Sequence, residues 1–173
     1  MTGPEFAPIS HEAFLADVHA VAEALDAGGW RPDHIVGVGR GGLVPGAYLS
    51  HRTGIGLLTI DYSSGIPGFA DELLAKLAGV TRAGRRILLV DDINDSRGTI
   101  EAIRATIAAH GGKPDGVRVA VLIDNVRSRA RVDYRARTID RATNKHWFIF
   151  PWEAVASRET LLQEAGEVPE RLA

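Results

Sequence analysis

The amino-acid sequence predicts an α/β fold with a mainly parallel central sheet flanked by helices. Three observations point to it. Short apolar runs at Ile35–Val38, Ile87–Val90 and Val117–Ile123 lack polar alternation, as strands covered on both faces do. Stretches of helical periodicity lie between them, so strand and helix alternate along the chain. Glycine pairs punctuate the joins, at Gly28-Gly29, Gly41-Gly42 and Gly111-Gly112. A chain of 173 residues, 45% of them hydrophobic, suffices for a single domain, 1–173, with one substantial core at about 30–125.

Residues 11–27 place Phe14, Val18, Val21, Ala22 and Leu25 on one helical face, and Gly28-Gly29 ends that helix. Ile35–Val38 is a strand, Gly39-Arg40-Gly41-Gly42 a glycine-rich turn, and Leu43–Arg52 the following helix, with Pro45 in its first turn. Ile55–Ile60 is a second strand. Residues 61–84 open on Tyr62-Ser63-Ser64-Gly65-Ile66-Pro67-Gly68, rich in turn formers, and carry only a weak helix around Asp71–Leu77. So long a connection is expected to act as a mobile lid. Ile87–Val90 is the third strand, and the next helix carries Ile100, Ile103 and Ile107 and stops at Gly111-Gly112. Val117–Ile123 is a fourth strand, Tyr134–Ile139 and His146–Phe150 are short ones, and Glu159–Glu164 is a terminal helix.

Charged residues make up 24% and the net charge is −2, so bulk electrostatics argue against nucleic acid or a membrane surface as partner. The chain has no cysteine, which excludes disulfides, thiolate metal sites and cysteine nucleophiles. Met1–Ser10 has neither the basic start nor the apolar core of a signal peptide, and no run approaches the ~20 apolar residues of a membrane span. A cytoplasmic location is expected. The six histidines show no metal-ligand spacing.

The most informative stretch is Arg-Ile-Leu-Leu-Val-Asp-Asp-Ile-Asn-Asp-Ser-Arg-Gly-Thr at 86–99. A buried strand ends in two adjacent carboxylates, Asp91 and Asp92, and a short loop, Asp95-Ser96-Arg97-Gly98-Thr99, then opens a helix. Such a loop offers backbone N–H groups and the positive end of a helix dipole to a phosphate. Paired carboxylates suit sugar hydroxyls or a magnesium ion. Phosphate, polyol and metal together suggest a phosphorylated sugar. A second motif, Gly39-Arg40-Gly41-Gly42, lets backbone approach a polyphosphate while Arg40 pairs with it. Both motifs leave strand ends and are expected to face one crevice. A third, Lys145-His146-Trp147-Phe148-Ile149-Phe150-Pro151-Trp152-Glu153, is an aromatic strand that could stack a flat base.

The 88–99 segment resembles the signature of the type I phosphoribosyltransferases, and the 36–47 stretch is similar to the pyrophosphate loop of bacterial xanthine–guanine phosphoribosyltransferases. The resemblance spans residues 35–153. It implies the type I phosphoribosyltransferase fold, with a hood made mainly of 126–155 plus the N-terminal segment. It implies magnesium-dependent transfer of phosphoribose from phosphoribosyl pyrophosphate to a 6-oxopurine (hypoxanthine, guanine or xanthine), in purine salvage. Asp91 and Asp92 would hold the ribose and, with Glu153, the magnesium. Asp95, Ser96, Arg97, Gly98 and Thr99 would hold the ribose 5-phosphate, and Gly39, Arg40, Gly41 and Gly42 the pyrophosphate. Asp95 would meet the imidazole part of the base and exchange its proton. Trp147 would stack on the purine and Phe148 read its edge. A strained cis peptide is expected near Gly39-Arg40. A homodimer or homotetramer is implied.

Two departures mark the sequence. Arg97 stands where the family has glycine. The family's lysine at the end of the fourth strand is missing from Ile123-Asp124-Asn125-Val126-Arg127, so Asn125, Arg127 or Lys145 could donate to the base instead. The sequence leaves open a phosphoribosyltransferase for another base, or a regulator that binds phosphoribosyl pyrophosphate without turnover. Arg127, Arg129, Arg131, Arg135, Arg137 and Arg141 form a basic stretch, expected as a solvated edge or subunit contact, with a polyphosphate or RNA surface as the sharper alternative.

Overall fold

The apolar runs form the strands of a five-stranded sheet in the computed structural model, which describes residues 4–62, 66–95 and 98–166. The elements are β1 (Phe6–Pro8), α1 (His11–Ala27), β2 (His34–Val38), α2 (Gly39–Thr53), β3 (Gly56–Ile60), α3 (Phe69–Arg82), β4 (Ile87–Asn94), α4 (Thr99–Ala109), β5 (Val117–Asn125), β6 (Tyr134–Ile139), β7 (Trp147–Ile149) and α5 (Arg158–Gly166). The sheet runs β3-β2-β4-β5-β6, every pair parallel, and β1 pairs with β7 in a separate two-stranded sheet.

Neighbouring strand residues point to opposite faces, and that alternation divides the core in two. Ile35, Leu88, Val90, Ala120 and Leu122 meet α1 and α2 through Phe14, Val18, Val21, Leu25 and Leu49. Val36, Leu89, Val119 and Val121 meet α3 and α4 through Leu74, Leu77, Ile100, Ile103 and Ile107. Because both faces are covered, the strands needed no polar alternation. Ser10 caps α1 by accepting from the Ala13 N–H at 3.1 Å, and the helix stops at the glycine pair.

The structure corrects several expectations. The 61–84 connection is not mainly loop: α3 covers fourteen residues of it, because Leu74, Leu77 and Ala78 form a buried stripe that outweighs the turn-rich entry. Of the segment's Tyr62-Ser63-Ser64, the two serines lie outside the described residues. β6, expected within the hood, is the outer strand of the main sheet, paired with β5. β4 does not end at Val90 but runs through both carboxylates to Asn94, because β5 continues beside it.

Candidate active site

The extension of β4 creates the site. β2 pairs with β4 only as far as Gly37↔Val90, whereas β4 and β5 stay paired to Asn94↔Asp124. The chain leaves β2 toward one edge of the sheet and β4 toward the other, and ligands bind at such a reversal. α2 crosses the uncovered end of β4. The crossing is so close that a Cβ on Gly42 would stand 1.9 Å from the Val90 carbonyl oxygen, and one on Gly41 would stand 2.6 Å from Asp92 Oδ2. The glycines are therefore the first turn of α2, not a turn preceding it. Gly39, at φ 54°, makes the reversal out of β2. No peptide bond among the described residues is cis, so the cis peptide expected near Gly39-Arg40 is not found, and Gly39 turns the chain in a left-handed conformation.

A cavity of about 650 Å³ opens above these strand ends. Gly39, Arg40 and Gly41 form one wall and Asp91, Asp92 and Asp95 the floor, with Gly98 and Thr99 at the start of α4 and Trp147, Phe148 and Glu153 from the hood segment. Gly42 sits buried behind the wall. Gly98 takes the left-handed conformation as N-cap of α4 and provides no side-chain cap, which leaves first-turn amides for a ligand. Ser96 and Arg97 lie outside the described residues. Asp91 Oδ1 accepts from the Asp92 N–H at 3.0 Å, and Asp92 Oδ1 from the Ile93 N–H at 2.6 Å, so both carboxylates are held in place at the cavity floor.

Asp95 has a partner the sequence did not reveal. Arg141 reaches its Oδ2 through Nε at 2.9 Å and Nη2 at 2.8 Å, and Asn125 donates to Oδ1 at 3.1 Å. The two side chains of the ion pair are 1% and 8% exposed. Arg141 therefore leaves the solvated basic stretch to which its spacing assigned it. The rest of that stretch is also largely tied down, with Arg127 on Asp140, Arg135 on Asp124 and Arg137 on Asp17. The pairings also involve the two β5-end residues expected to read the base. Asn125 turns its amide to Asp95, its Oδ1 accepts from the Arg127 and Arg141 backbone N–H groups, and Arg127 binds Asp140 outside the cavity.

Glu153 faces the cavity but bends back to accept from the Phe150 N–H at 2.9 Å. Burial pushes its carboxyl up to about 7, helped by the nearby Asp92 and Glu164 charges and opposed by the Phe150 amide and Arg40. Among the described residues no three His, Cys, Asp or Glu side chains gather to hold a metal, so Asp91, Asp92 and Glu153 do not form a three-ligand site. The paired carboxylates of Asp91 and Asp92 at the cavity floor are oxygen donors of the kind that suit magnesium.

The last helix, undiagnostic in sequence, is part of the site. Thr160, Gln163 and Glu164 of α5 line the cavity, and Glu164 Oε1 accepts from Arg40 at 3.1 Å. An aromatic stack of Phe150 on Trp152, with ring centroids 4.8 Å apart, ties the hood segment to Phe14 of α1.

A family model described as the phosphoribosyl transferase domain matches residues 9–156. The chain is 31% identical over 134 residues to the adenine phosphoribosyltransferase of Corynebacterium efficiens, covering 70% of this chain and 68% of that one. It is 31% identical over 162 residues to the xanthine-guanine phosphoribosyltransferase of Cereibacter sphaeroides, covering 84% and 85%. Among solved structures it resembles a purine phosphoribosyltransferase from Pyrococcus horikoshii, with TM-score 0.63, 27% identity and coverage of 86% and 94%. A family model spanning most of the chain and relatives of 31% identity aligned over more than two thirds of it leave one conclusion, that the chain belongs to the phosphoribosyltransferase family.

Proposed function

We propose that the protein transfers phosphoribose from phosphoribosyl pyrophosphate to a ring nitrogen of a 6-oxopurine. The observation that carries this reading is the single cavity in which Arg40 and the glycine wall, Asp91 and Asp92, the α4 start and the Trp147-Phe148 pair meet. The adenine and xanthine-guanine relatives are equally identical to this chain, and the xanthine-guanine one aligns over more of it, 84% against 70%, which favours the oxo substrate class.

The reaction forms a bond from base nitrogen to the anomeric carbon and breaks the bond from that carbon to pyrophosphate. No protein nucleophile is needed; the site must align the partners and stabilise separating charge. The α4 amides, with Gly98 and Thr99, hold the 5-phosphate, and Asp91 and Asp92 hold the ribose hydroxyls. Arg40 and the α2 amides hold the leaving pyrophosphate. Magnesium, bound by Asp91 and Asp92 with substrate oxygens, would neutralise phosphate charge. Asp95 meets the imidazole edge of the base and takes or shares its proton. Trp147 and Phe148 form the stacking surface.

Pyrophosphate release is measured with phosphoribosyl pyrophosphate, magnesium and each of hypoxanthine, guanine, xanthine, adenine and uracil. Release is expected with the oxopurines, and none with any base removes the reading. Asp95→Asn should lower turnover by about 100-fold while sparing phosphoribosyl pyrophosphate binding; unchanged turnover removes the role given to Asp95.

A further inference from the structure

We propose that Arg141 determines the choice of base, donating to an oxo group on the six-membered ring and excluding an amino group there. This rests on the purine reading above and deepens it. A guanidinium has five N–H donors and no acceptor. Nε and Nη2 of Arg141 hold Asp95 Oδ2, and Nη1 donates to the carbonyl oxygens of Asn144 at 3.3 Å and His146 at 2.7 Å. One Nη2 N–H then has no partner among the described residues. The guanidinium carbon lies 5.4 Å from the centroid of Phe148, and both residues line the cavity with Asp95 and Trp147.

The neighbouring position of two purine groups completes the argument. The imidazole nitrogen N7 and the substituent on C6 sit side by side on one edge of a purine: guanine shows an acceptor there, adenine an amino donor. A base that brings its imidazole edge to Asp95 therefore brings its C6 substituent toward a group in contact with Asp95, and of its two side-chain partners named above, Asn125 and Arg141, it is Arg141 that lines the cavity. An oxo group accepts the remaining N–H. An amino group would set donor against donor in a place shielded from water, which a polar site rejects strongly. The other donors the sequence offered at the end of β5 stand outside the cavity lining, with Asn125 turned to Asp95 and Arg127 paired with Asp140.

The test is calorimetric titration of the full chain with inosine 5'-monophosphate and with adenosine 5'-monophosphate, for wild type, Arg141→Gln and Arg141→Lys. Wild type is expected to bind the oxo nucleotide about 30-fold more tightly. Arg141→Gln, whose amide both donates and accepts, should bring the two within about 3-fold, and Arg141→Lys should keep most of the preference. Ribose 5-phosphate binding should be equal in all three and reports an intact phosphate site. Equal binding of the two nucleotides by wild type overturns the proposal, as does an unchanged ratio in Arg141→Gln with ribose 5-phosphate binding intact. If Arg141→Gln loses ribose 5-phosphate, Asp95→Asn/Arg141→Gln, which leaves no unpaired buried charge, decides by the same ratio. Absence of pyrophosphate release with every base would remove the transferase reading while leaving the nucleotide ratio to judge Arg141.

Discussion

Gly41 and Gly42 are fixed by what lies across from them. Each could be a helix residue of any kind were it not for β4: a methyl group at 42 would overlap the Val90 carbonyl, which is backbone and has nowhere to go. Gly42→Ala should therefore cost about 2–3 kcal/mol of stability, read by urea unfolding. A wild-type midpoint would mean that α2 does not press on β4. Glu153 offers a second test at this scale. Its carboxyl is raised from 4.5 to about 7 in the fold, so the folded chain binds the proton more tightly than the unfolded one. The stability this confers is complete below about pH 4.5 and is lost as pH rises through 7. Glu153→Gln removes that dependence. Thermal melts at pH 5 and pH 8 should show wild type losing about 1–2 kcal/mol relative to the variant, allowing for the solvent that reaches the group. Identical pH dependence in the two proteins would count against the buried carboxyl.

α5 is the element whose role changes most between sequence and structure. It places Glu164 on Arg40, the side chain proposed to receive the leaving phosphates. Arg40 is 78% exposed in this pair, so the contact is worth at most about 1 kcal/mol. An incoming pyrophosphate group has to displace the carboxylate. Glu164→Gln should thus tighten phosphoribosyl pyrophosphate binding by no more than about 5-fold, measured by titration at low salt, with the gain fading as salt is raised. Weaker binding would show instead that Glu164 assists the substrate. β6 makes the same point from the other side of the molecule. Its arginines look like a basic surface when counted along the chain, yet Arg135 and Arg137 stitch the outer strand to β5 and α1.

Across the whole molecule, most of the architecture could be read from apolar periodicity. The strands at 35–38, 87–90, 117–123 and 134–139 and the helix at 11–27 follow from residue type and spacing, because two-sided burial and one-sided burial leave different local patterns. The motifs of the proposed phosphate and sugar stations were legible for a related reason: each is a short contiguous motif at a strand end, so sequence order and spatial order coincide. The glycines of α2, the carboxylates of β4 and the start of α4 were all visible before any tertiary contact was known. What stayed hidden depends on contacts between distant segments. Arg141 looks like one more arginine in a charged run until β6 and β7 fold it beneath the cavity onto Asp95. The bond from the Asn125 amide to Asp95 likewise joins residues thirty positions apart. The length of α3 and the reach of β4 were set by Leu74, Leu77 and the β5 ladder, not by their own end residues. Local sequence thus determined the kind of fold and the place of the motifs proposed to hold phosphate, since backbone propensity and short motifs act over a few residues. Tertiary structure alone decided which cation meets Asp95 and which carboxylate guards Arg40, because ion pairing depends on distance in space and not along the chain.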